Sequence, residues 1–389
     1  MKTRHVFVLL SFLSLFVIIL PCNILAKNDD IIQEQLNSID DSQIQSFLEQ
    51  INKNYSEYIP KYEFDDLINT LKGNKVYDLK RLFTGLLNYL FHEISANYRL
   101  LGQLIALCVV SAVLKNIQNA FDNNNISQVA HGIVCMVMII VAVQSFAIAL
   151  RIGKEVIEQM VTFIQALLPV LFTLLASIGG LTSVAVFNPI ILLGVTISST
   201  WIKDILLPII FFSAVLGLVN NISDRFHVSY LASLLKQICV FLLGLFMCIF
   251  LGTLVVQGAA AASIDGITIR TAKFASKNFI PIVGGIFSDT VDTIVSCSLI
   301  LKNAVGFAGL LIILLITIFP VIKILSLVII YKFAAAIIQP VGESMIVKCL
   351  NDMSNSILLI FISVAAVSTM FFVAITIILS AGSMTVMMR

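Results

Sequence analysis

Charged residues are scarce in this chain. Asp, Glu, Lys and Arg make up 12% of its 389 residues, whereas soluble domains carry about 25%. Hydrophobic residues make up 59%, and the mean hydropathy is +1.02. Apolar runs of about 18 or more residues recur, which is the length that crosses a hydrocarbon core about 30 Å thick. This composition excludes an ordinary soluble protein and predicts an all-α, polytopic helical membrane protein.

The residue types that build chemical sites are also few and poorly spaced. The seven cysteines include no C-x-x-C pair, and the four histidines lie far apart in the sequence. The chain has no H-E-x-x-H, no G-x-S-x-G and no Walker lysine loop. A net charge of +2 is too small to indicate nucleic acid as a partner. We therefore expect no enzyme activity, no metal site and no cofactor.

The first 26 residues have the features of an export signal. Lys2 and Arg4 give a positive start, an apolar core follows, and Ala26 is a small residue suited to cleavage. Ile24 fits the small-x-small cleavage pattern poorly, so an uncleaved N-terminal anchor is the alternative. If the signal works, the segment that follows lies across the membrane from the cytoplasm.

Residues 27–98 are the only clearly polar stretch before the apolar runs begin. Their apolar residues recur at helical spacing, which predicts short amphipathic helices. In the last of these, Phe83 and Leu87 lie on the apolar side and Glu93 lies elsewhere. Such a helix could lie at the lipid headgroups or pack on the helix bundle.

Nine apolar segments are candidates for membrane crossing: Leu100 to Leu114, Val129 to Leu150, Met160 to Ile178, Ser183 to Trp201, Ile205 to Val219, Ile238 to Val256, Val305 to Leu325, Leu327 to Ile338, and Ile357 to Leu379. Two joins between them are ambiguous. Gly179 and Gly180 leave hardly any loop between two segments. Pro320, Lys323 and Lys332 interrupt one long apolar run. We therefore expect seven to nine spans.

These features divide the chain into five parts. Residues 1–26 are a signal peptide or anchor, and residues 27–98 are an exported amphipathic helical segment. Residues 99–258 are a first transmembrane helix bundle, residues 259–303 a charged helical hairpin insert, and residues 304–389 the C-terminal transmembrane helices.

The insert concentrates charges between two apolar runs. Arg270, Lys273 and Lys277 are spaced i, i+3, i+7 and form one cationic stripe on a helix, and Asp289 and Asp292 also share a face. The residues between the two groups that allow a helix to reverse direction are Pro281, Gly284 and Gly285.

Folding this insert as an antiparallel hairpin would place opposite charges across from each other. Lys277 and Asp289 are each six residues from Val283, and Lys273 comes opposite Asp292. An isolated charge in mid-membrane costs about 2.5–3.5 kcal/mol on insertion scales, so pairing would let the hairpin enter the membrane. The alternative is a solvated loop, in which each pair contributes only about 0–1 kcal/mol.

These charges could serve catalysis or transport instead of a structural role. Acid–base catalysis by Asp289 and Asp292 would need a recognisable catalytic motif beside them, and the chain has none. Transport is a stronger alternative, since charges within membrane segments are typical of ion and substrate paths. Lysines near span ends also extend to the interface without any such role.

Several short runs resemble one known family. They are G-I-T-I-R-T-A-K (266–273), N-F-I-P-I-V-G (278–284), D-T-V-D-T (289–293), Q-P-V-G-E (339–343) and L-K-N-A-V-G, which contains Lys302, Asn303 and Gly306. These runs and their order resemble the stage III sporulation protein AE family of endospore-forming bacteria. The resemblance extends over essentially the whole chain, and the insert is its most specific part.

The resemblance implies a role in spore development without enzyme activity. It implies a multi-pass protein of the mother-cell membrane around the forespore. Its partners would be the lipid bilayer, other stage III sporulation A-operon membrane proteins and, indirectly, the forespore stage II protein Q. Together these proteins would form a channel or secretion-like complex. The alternative from the residues is a stand-alone permease for a small solute, with Lys273, Lys277, Asp289 and Asp292 along its path. An intramembrane protease is a weaker third possibility.

Overall fold

The computed structural model describes residues 42–60, 79–120, 124–222, 228–279, 283–340 and 344–387. Within these ranges the chain is helical apart from short turns, as the composition predicted. The helices are α1 (Ser42–Tyr55), α2 (Leu79–Ala96), α3 (Tyr98–Ala120), α4 (Asn124–Ser177), α5 (Leu181–Trp201), a π-helical turn (Ile202–Leu206), α6 (Leu207–Ile222), α7 (Ser229–Phe279), α8 (Val283–Ile338) and α9 (Ser344–Met387).

Helices α8 and α9 form the centre of the bundle. In the most apolar stretch of α9, 78% of the residues are buried, against 22% in α7. Helix α8 packs along α9, and both also contact α4. Because α7 exposes large apolar side chains along its length, such as Phe241 and Ile249, it suits an apolar solvent rather than water.

Two levels of polar contacts cross the bundle. At the first, the Lys323 level, Lys203 of the π turn pairs with Glu158 of α4 at 2.7 Å, and Lys323 of α8 lies beside Glu155 of α4 around one cavity. At the second, the Lys302 level, side chains of α7 and α8 bond to the backbones of α5 and α9. Lys302 and Lys323 are 21 residues apart on α8, or about 32 Å of helix.

Between these levels five helices carry no charged residue. The uncharged segments are 159–177 of α4, 181–201 of α5, 237–264 of α7, 303–322 of α8 and 353–387 of α9. A slab about 32 Å deep matches a hydrocarbon core of about 30 Å. The charges at the Lys302 and Lys323 levels therefore lie at the two edges of one uncharged slab.

The predicted count of seven to nine spans is not confirmed. In the described residues, five helices are long and apolar enough to cross a membrane, or six when the pair Lys80–Ala96 and Tyr98–Leu114, bent by 48°, counts as one. The charged stretch 151–159 stays helical inside α4, and Pro320 stays inside α8. The segments predicted on either side of each therefore merge into single helices. Segments 183–201 and 205–219 are likewise joined through the π turn.

The N-terminal helices pack against the bundle near the Lys323 level. Phe47 of α1 meets Phe163 of α4 edge-on at 5.3 Å, and Tyr55 stacks on Phe319 of α8 at 3.8 Å. Burial raises the pKa of Tyr55, and the nearby Glu93 carboxylate raises it further. Helix α2 also contacts α8, and its position relative to the lipid headgroups stays a prediction.

Helix α2 does not bury the face that its apolar pattern suggested. Phe83 is 60% exposed, whereas Glu93 is 7% exposed and faces the bundle. The Tyr89 side chain lies near the Glu93 carboxylate, and Lys323 of α8 approaches that carboxylate at 3.9 Å. Because this partner lies 230 residues away in the sequence, helical periodicity within α2 alone could not reveal it. The signal or anchor of residues 1–26 lies outside the described residues.

Candidate functional site

A tight reversal joins α4 to α5 through Gly179 and Gly180. Gly179 has φ +89°, a left-handed conformation that residues with a Cβ rarely adopt. A Cβ at Gly179 would also lie 2.6 Å from Ile269 Cδ1 of α7. The left-handed backbone is therefore what requires glycine here, whereas the end of the Ile269 side chain can shift.

Asp265 of α7 caps the start of α5. Its two carboxylate oxygens accept hydrogen bonds from the backbone N–H groups of Thr182 and Ser183, both at 2.8 Å. The first N–H groups of a helix have no partner within it, and Gly180, at the N-cap position, has no side chain to serve them. A carboxylate is also favoured by the positive end of the helix dipole. Asp265 is 2% exposed, so its charge is stabilised by the helix end rather than by water.

Lys302 of α8 is a buried cation at the same level. It is fully buried, and its Nζ donates to the backbone carbonyl of Leu379 in α9 at 2.7 Å. The Ser383 hydroxyl of α9 donates to that same carbonyl at 3.3 Å. A lysine ammonium has three protons to donate, and this is the one hydrogen bond that Lys302 makes within the described residues. An ionisable side chain buried in a membrane bundle is by default a candidate functional residue.

Glycines make the space that Lys302 occupies. A Cβ at Gly382 would collide with Lys302 Nζ, and one at Gly306 would collide with the Leu379 side chain. Lys302 and Gly306 are four residues apart and therefore lie on one face of α8. The L-K-N-A-V-G run thus places a lysine and a glycine against the same turn of α9.

The Asp265 and Lys302 contacts belong to one region of the bundle. The Leu175 side chain lies 2.9 Å from the Cβ position of Gly180 and 3.1 Å from that of Gly382, so it separates the two contacts. The Asp265 carboxylate and the Lys302 ammonium are more than 4.0 Å apart, so they do not form an ion pair with each other. We call Asp265, Lys302 and the Gly179–Gly180 turn the Lys302 cluster.

The charged side chains of the Lys302 cluster bond to the backbones of neighbouring helices. One buried hydroxyl in the described residues, Ser183 Oγ, has no hydrogen-bond partner. Within the described residues, no group of three or more His, Cys, Asp or Glu could hold a metal ion. The cluster joins α5 to α7 and α8 to α9.

Most of the predicted insert charges cannot be located in this structure. The side chains of Lys273, Lys277, Asp289 and Asp292 lie outside the described residues, as does Pro281. Helix α7 ends at Phe279 and α8 begins at Val283, so Gly284 and Gly285 belong to the first turn of α8. The hairpin and its ion pairs therefore stay predictions.

The predicted site residues that the structure does describe differ in burial. Arg270 is exposed on α7, five residues beyond the buried Asp265. Lys302 and Gly306 are buried, and Asn303 is half-buried. The structure therefore brings Lys302 and Gly306 to the Lys302 cluster and leaves Arg270 on the outside.

Sequence reasoning missed Asp265. One sequence signal does mark it: it is the first charged residue after 28 uncharged positions that begin at Gln237. A lone acid after such a run is costly in a membrane unless it has a partner. Its partners are backbone groups about 80 residues earlier. Because nearly every residue has a backbone N–H, the sequence does not show which ones will bond to Asp265.

The architecture defines a multi-pass helical membrane protein whose buried charges hold helix backbones. Residues 62–382 match the family model described as stage III sporulation protein AE. The chain is 44% identical over 352 residues to the stage III sporulation protein AE of Bacillus subtilis (strain 168), with 90% of this chain and 88% of that protein covered. The chain belongs to the stage III sporulation protein AE family. No solved structure matches it significantly.

Proposed function

We propose that this chain is a non-enzymatic integral membrane component of the channel or secretion-like complex between mother cell and forespore. Family membership supports a role in sporulation. In this proposal the protein lies in the mother-cell membrane around the forespore. It assembles with other stage III sporulation A-operon membrane proteins and, indirectly, with the forespore stage II protein Q.

The main observation that supports this proposal is that the buried charged side chains are hydrogen bonded to backbone groups. A transport path needs polar groups that can exchange partners with the substrate. Asp265 instead accepts two backbone hydrogen bonds, and Lys302 donates to a backbone carbonyl. Neither residue lines the two cavities beside Lys323. Such an arrangement favours a fixed scaffold over a moving carrier.

A stand-alone permease is the second candidate, and a separate observation favours it. Two cavities of about 160 and 210 Å³ flank Lys323, and several carboxamide side chains line them. A site of this kind could bind a small polar solute. The two candidates differ in whether the purified protein works alone.

Partner dependence separates the two candidates. A tagged chain purified from sporulating cells in mild detergent should retain the other A-operon membrane proteins. Purified alone into liposomes, it should not release a set of encapsulated small ions, amino acids and sugars faster than empty liposomes. Isolation without partners together with solute release would support the permease and exclude the scaffold.

A further inference from the structure

The outward face of α4 is polar through the whole depth of the uncharged slab. Residues 149–177 are all described, and no large apolar side chain among them is exposed. The exposed residues within the slab are Gln159, Thr162, Gln165, Pro169, Thr173 and Ser177. Their spacing of three or four residues places them on one side of the helix. We call these six residues the α4 polar face.

Other helices expose large apolar side chains in the same slab. Leu193 and Ile197 of α5 and Phe241 and Ile249 of α7 are all exposed. Lipid acyl chains are as apolar as these side chains, so they can cover α5 and α7 at no cost. Acyl chains offer no hydrogen bond to an amide or a carbonyl. The α4 polar face therefore needs a different neighbour from α5 and α7.

Gln165 and Pro169 leave polar groups on this face without partners. Among the described residues, none hydrogen bonds to the Gln165 carboxamide. Pro169, one turn later, has no N–H to donate to the Gln165 backbone carbonyl. The hydroxyls of Thr162 and Thr173 do donate to carbonyls within α4. The Gln165 position therefore requires hydrogen bonds that the described bundle does not supply.

Water is the neighbour that the layout of the α4 polar face favours. The face continues into the exposed charges Arg151, Glu155 and Glu158, and Glu155 and Gln159 line the cavity of about 210 Å³ at the Lys323 level. From Glu155 to Ser177 is 22 residues, or about 33 Å of helix, which is the full thickness of a hydrocarbon core. A partner helix packs closely against small residues, whereas long glutamine side chains hold it away.

We infer that the α4 polar face lines a water-filled path through the membrane. In this path, water bonds to the Gln165 carboxamide and backbone carbonyl. Asn188 of α5 is a further exposed carboxamide, and it lies at the depth of Thr173, because each is 15 residues from the Lys203–Glu158 ion pair. The uncharged donors and acceptors of this wall suit hydrophilic solutes.

The inference rests on the proposed function and deepens it. One helix face cannot enclose water, so neighbouring subunits of the complex supply the remaining walls of the path. This chain would then be one fixed wall of the channel, which agrees with buried charges that are held by backbone groups.

Cysteine accessibility tests the inference in membranes of sporulating cells that make all the A-operon proteins. In a cysteine-free background, Gln165→Cys and Thr173→Cys are treated with a small methanethiosulfonate of fixed positive charge. This reagent attacks the thiolate, which apolar surroundings disfavour. Ile197→Cys is the matched control, since Ile197 is six residues from Lys203 and Gln165 is seven from its ion-pair partner Glu158. We expect both α4 variants to react at least about tenfold faster than the control.

A second pair of variants keeps the test decisive if a cysteine variant misfolds. Gln165→Glu adds a charge that water in the path can solvate, so its protein level in the membrane should match wild type. Ile197→Glu places the same charge among acyl chains and should lower the protein level. Equal losses in the two variants would contradict a hydrated α4 face.

Two labelling results would overturn the inference. Reaction of the α4 variants as slow as that of Ile197→Cys would mean that lipid or protein covers the face. Fast reaction that appears only after deletion of the other A-operon genes would mean that a partner protein docks there. Partner retention is measured on the same membranes: partners retained with slow labelling refute the path alone, whereas absent partners refute the proposed function.

Discussion

Each of the best-defined buried charges in this protein is bonded to the backbone of another helix. Asp265 accepts from the two N–H groups that α5 leaves unbonded at its start, and Lys302 donates to the Leu379 carbonyl in the last third of α9. Bonds between an ionised group and a backbone group are stronger than neutral ones. The same charges would be costly in the apolar slab if those partners were absent.

Replacing Asp265 should therefore destabilise the fold. Asp265→Ala leaves two buried N–H groups without acceptors, at about 1–3 kcal/mol each, so we expect a loss of at least about 2 kcal/mol. Asp265→Asn retains one acceptor oxygen and should lose less. Thermal unfolding in detergent measures both. Asp204→Ala, at an exposed acid of the π turn, is the matched control. Equal stability of Asp265→Ala and this control would contradict the capping role.

At the scale of elements, the charges of the predicted insert lie close in sequence to the junction of α7 and α8. Helix α7 ends at Phe279, α8 begins at Val283, and the two helices contact each other. The predicted pairs Lys277–Asp289 and Lys273–Asp292 fall next to this junction. Their geometry lies outside the described residues, so exchange of charges is the direct way to examine it.

Exchanging the two members of one predicted pair should preserve function. Lys277→Asp or Asp289→Lys alone leaves two like charges facing each other and should lower spore yield, whereas the double exchange restores an attractive pair. The measurement is heat-resistant spore count, with protein level checked by immunoblot. If the double exchange is as defective as either single change, the two residues do not act as a pair. A permease path through both residues predicts that outcome.

At the scale of the whole molecule, the helices are much longer than a membrane is thick. The five candidate spans contain 40 to 46 residues, or about 60–69 Å of helix, whereas a hydrocarbon core is about 30 Å. The part between the Lys302 and Lys323 levels is free of charges on α4, α5, α7, α8 and α9. The part beyond the Lys323 level contains Lys236, Lys332, Lys348 and Asp352.

We expect the bilayer to cover the uncharged slab and not the part beyond it. In a cysteine-free background, Leu193→Cys and Ile249→Cys lie in the slab at positions that are 62% and 61% exposed. A charged maleimide should not label them in intact membranes. Tyr230→Cys, at a position that is 88% exposed beyond the Lys323 level, should be labelled. Labelling after detergent addition controls for reactivity. The reverse pattern would place the bilayer on the other half of the bundle.

Several features of this protein could be predicted from the sequence, because each depends on residues close together in the chain. Low charge and long apolar runs predicted an all-helical membrane protein, and the quoted motifs identified the family. The L-K-N-A-V-G run marked Lys302 and Gly306 only as residues of a family motif, and their burial is known from the structure.

Only the tertiary structure decided how those helices are joined and what their charges contact. Stretch 151–159 and Pro320 look like breaks in the sequence, yet packing against neighbouring helices keeps α4 and α8 continuous. Glu93 and Asp265 acquire their roles from groups far away in the chain. The physical reason is that hydropathy records the cost of burying a charge, whereas the partner that offsets this cost is fixed by three-dimensional contact.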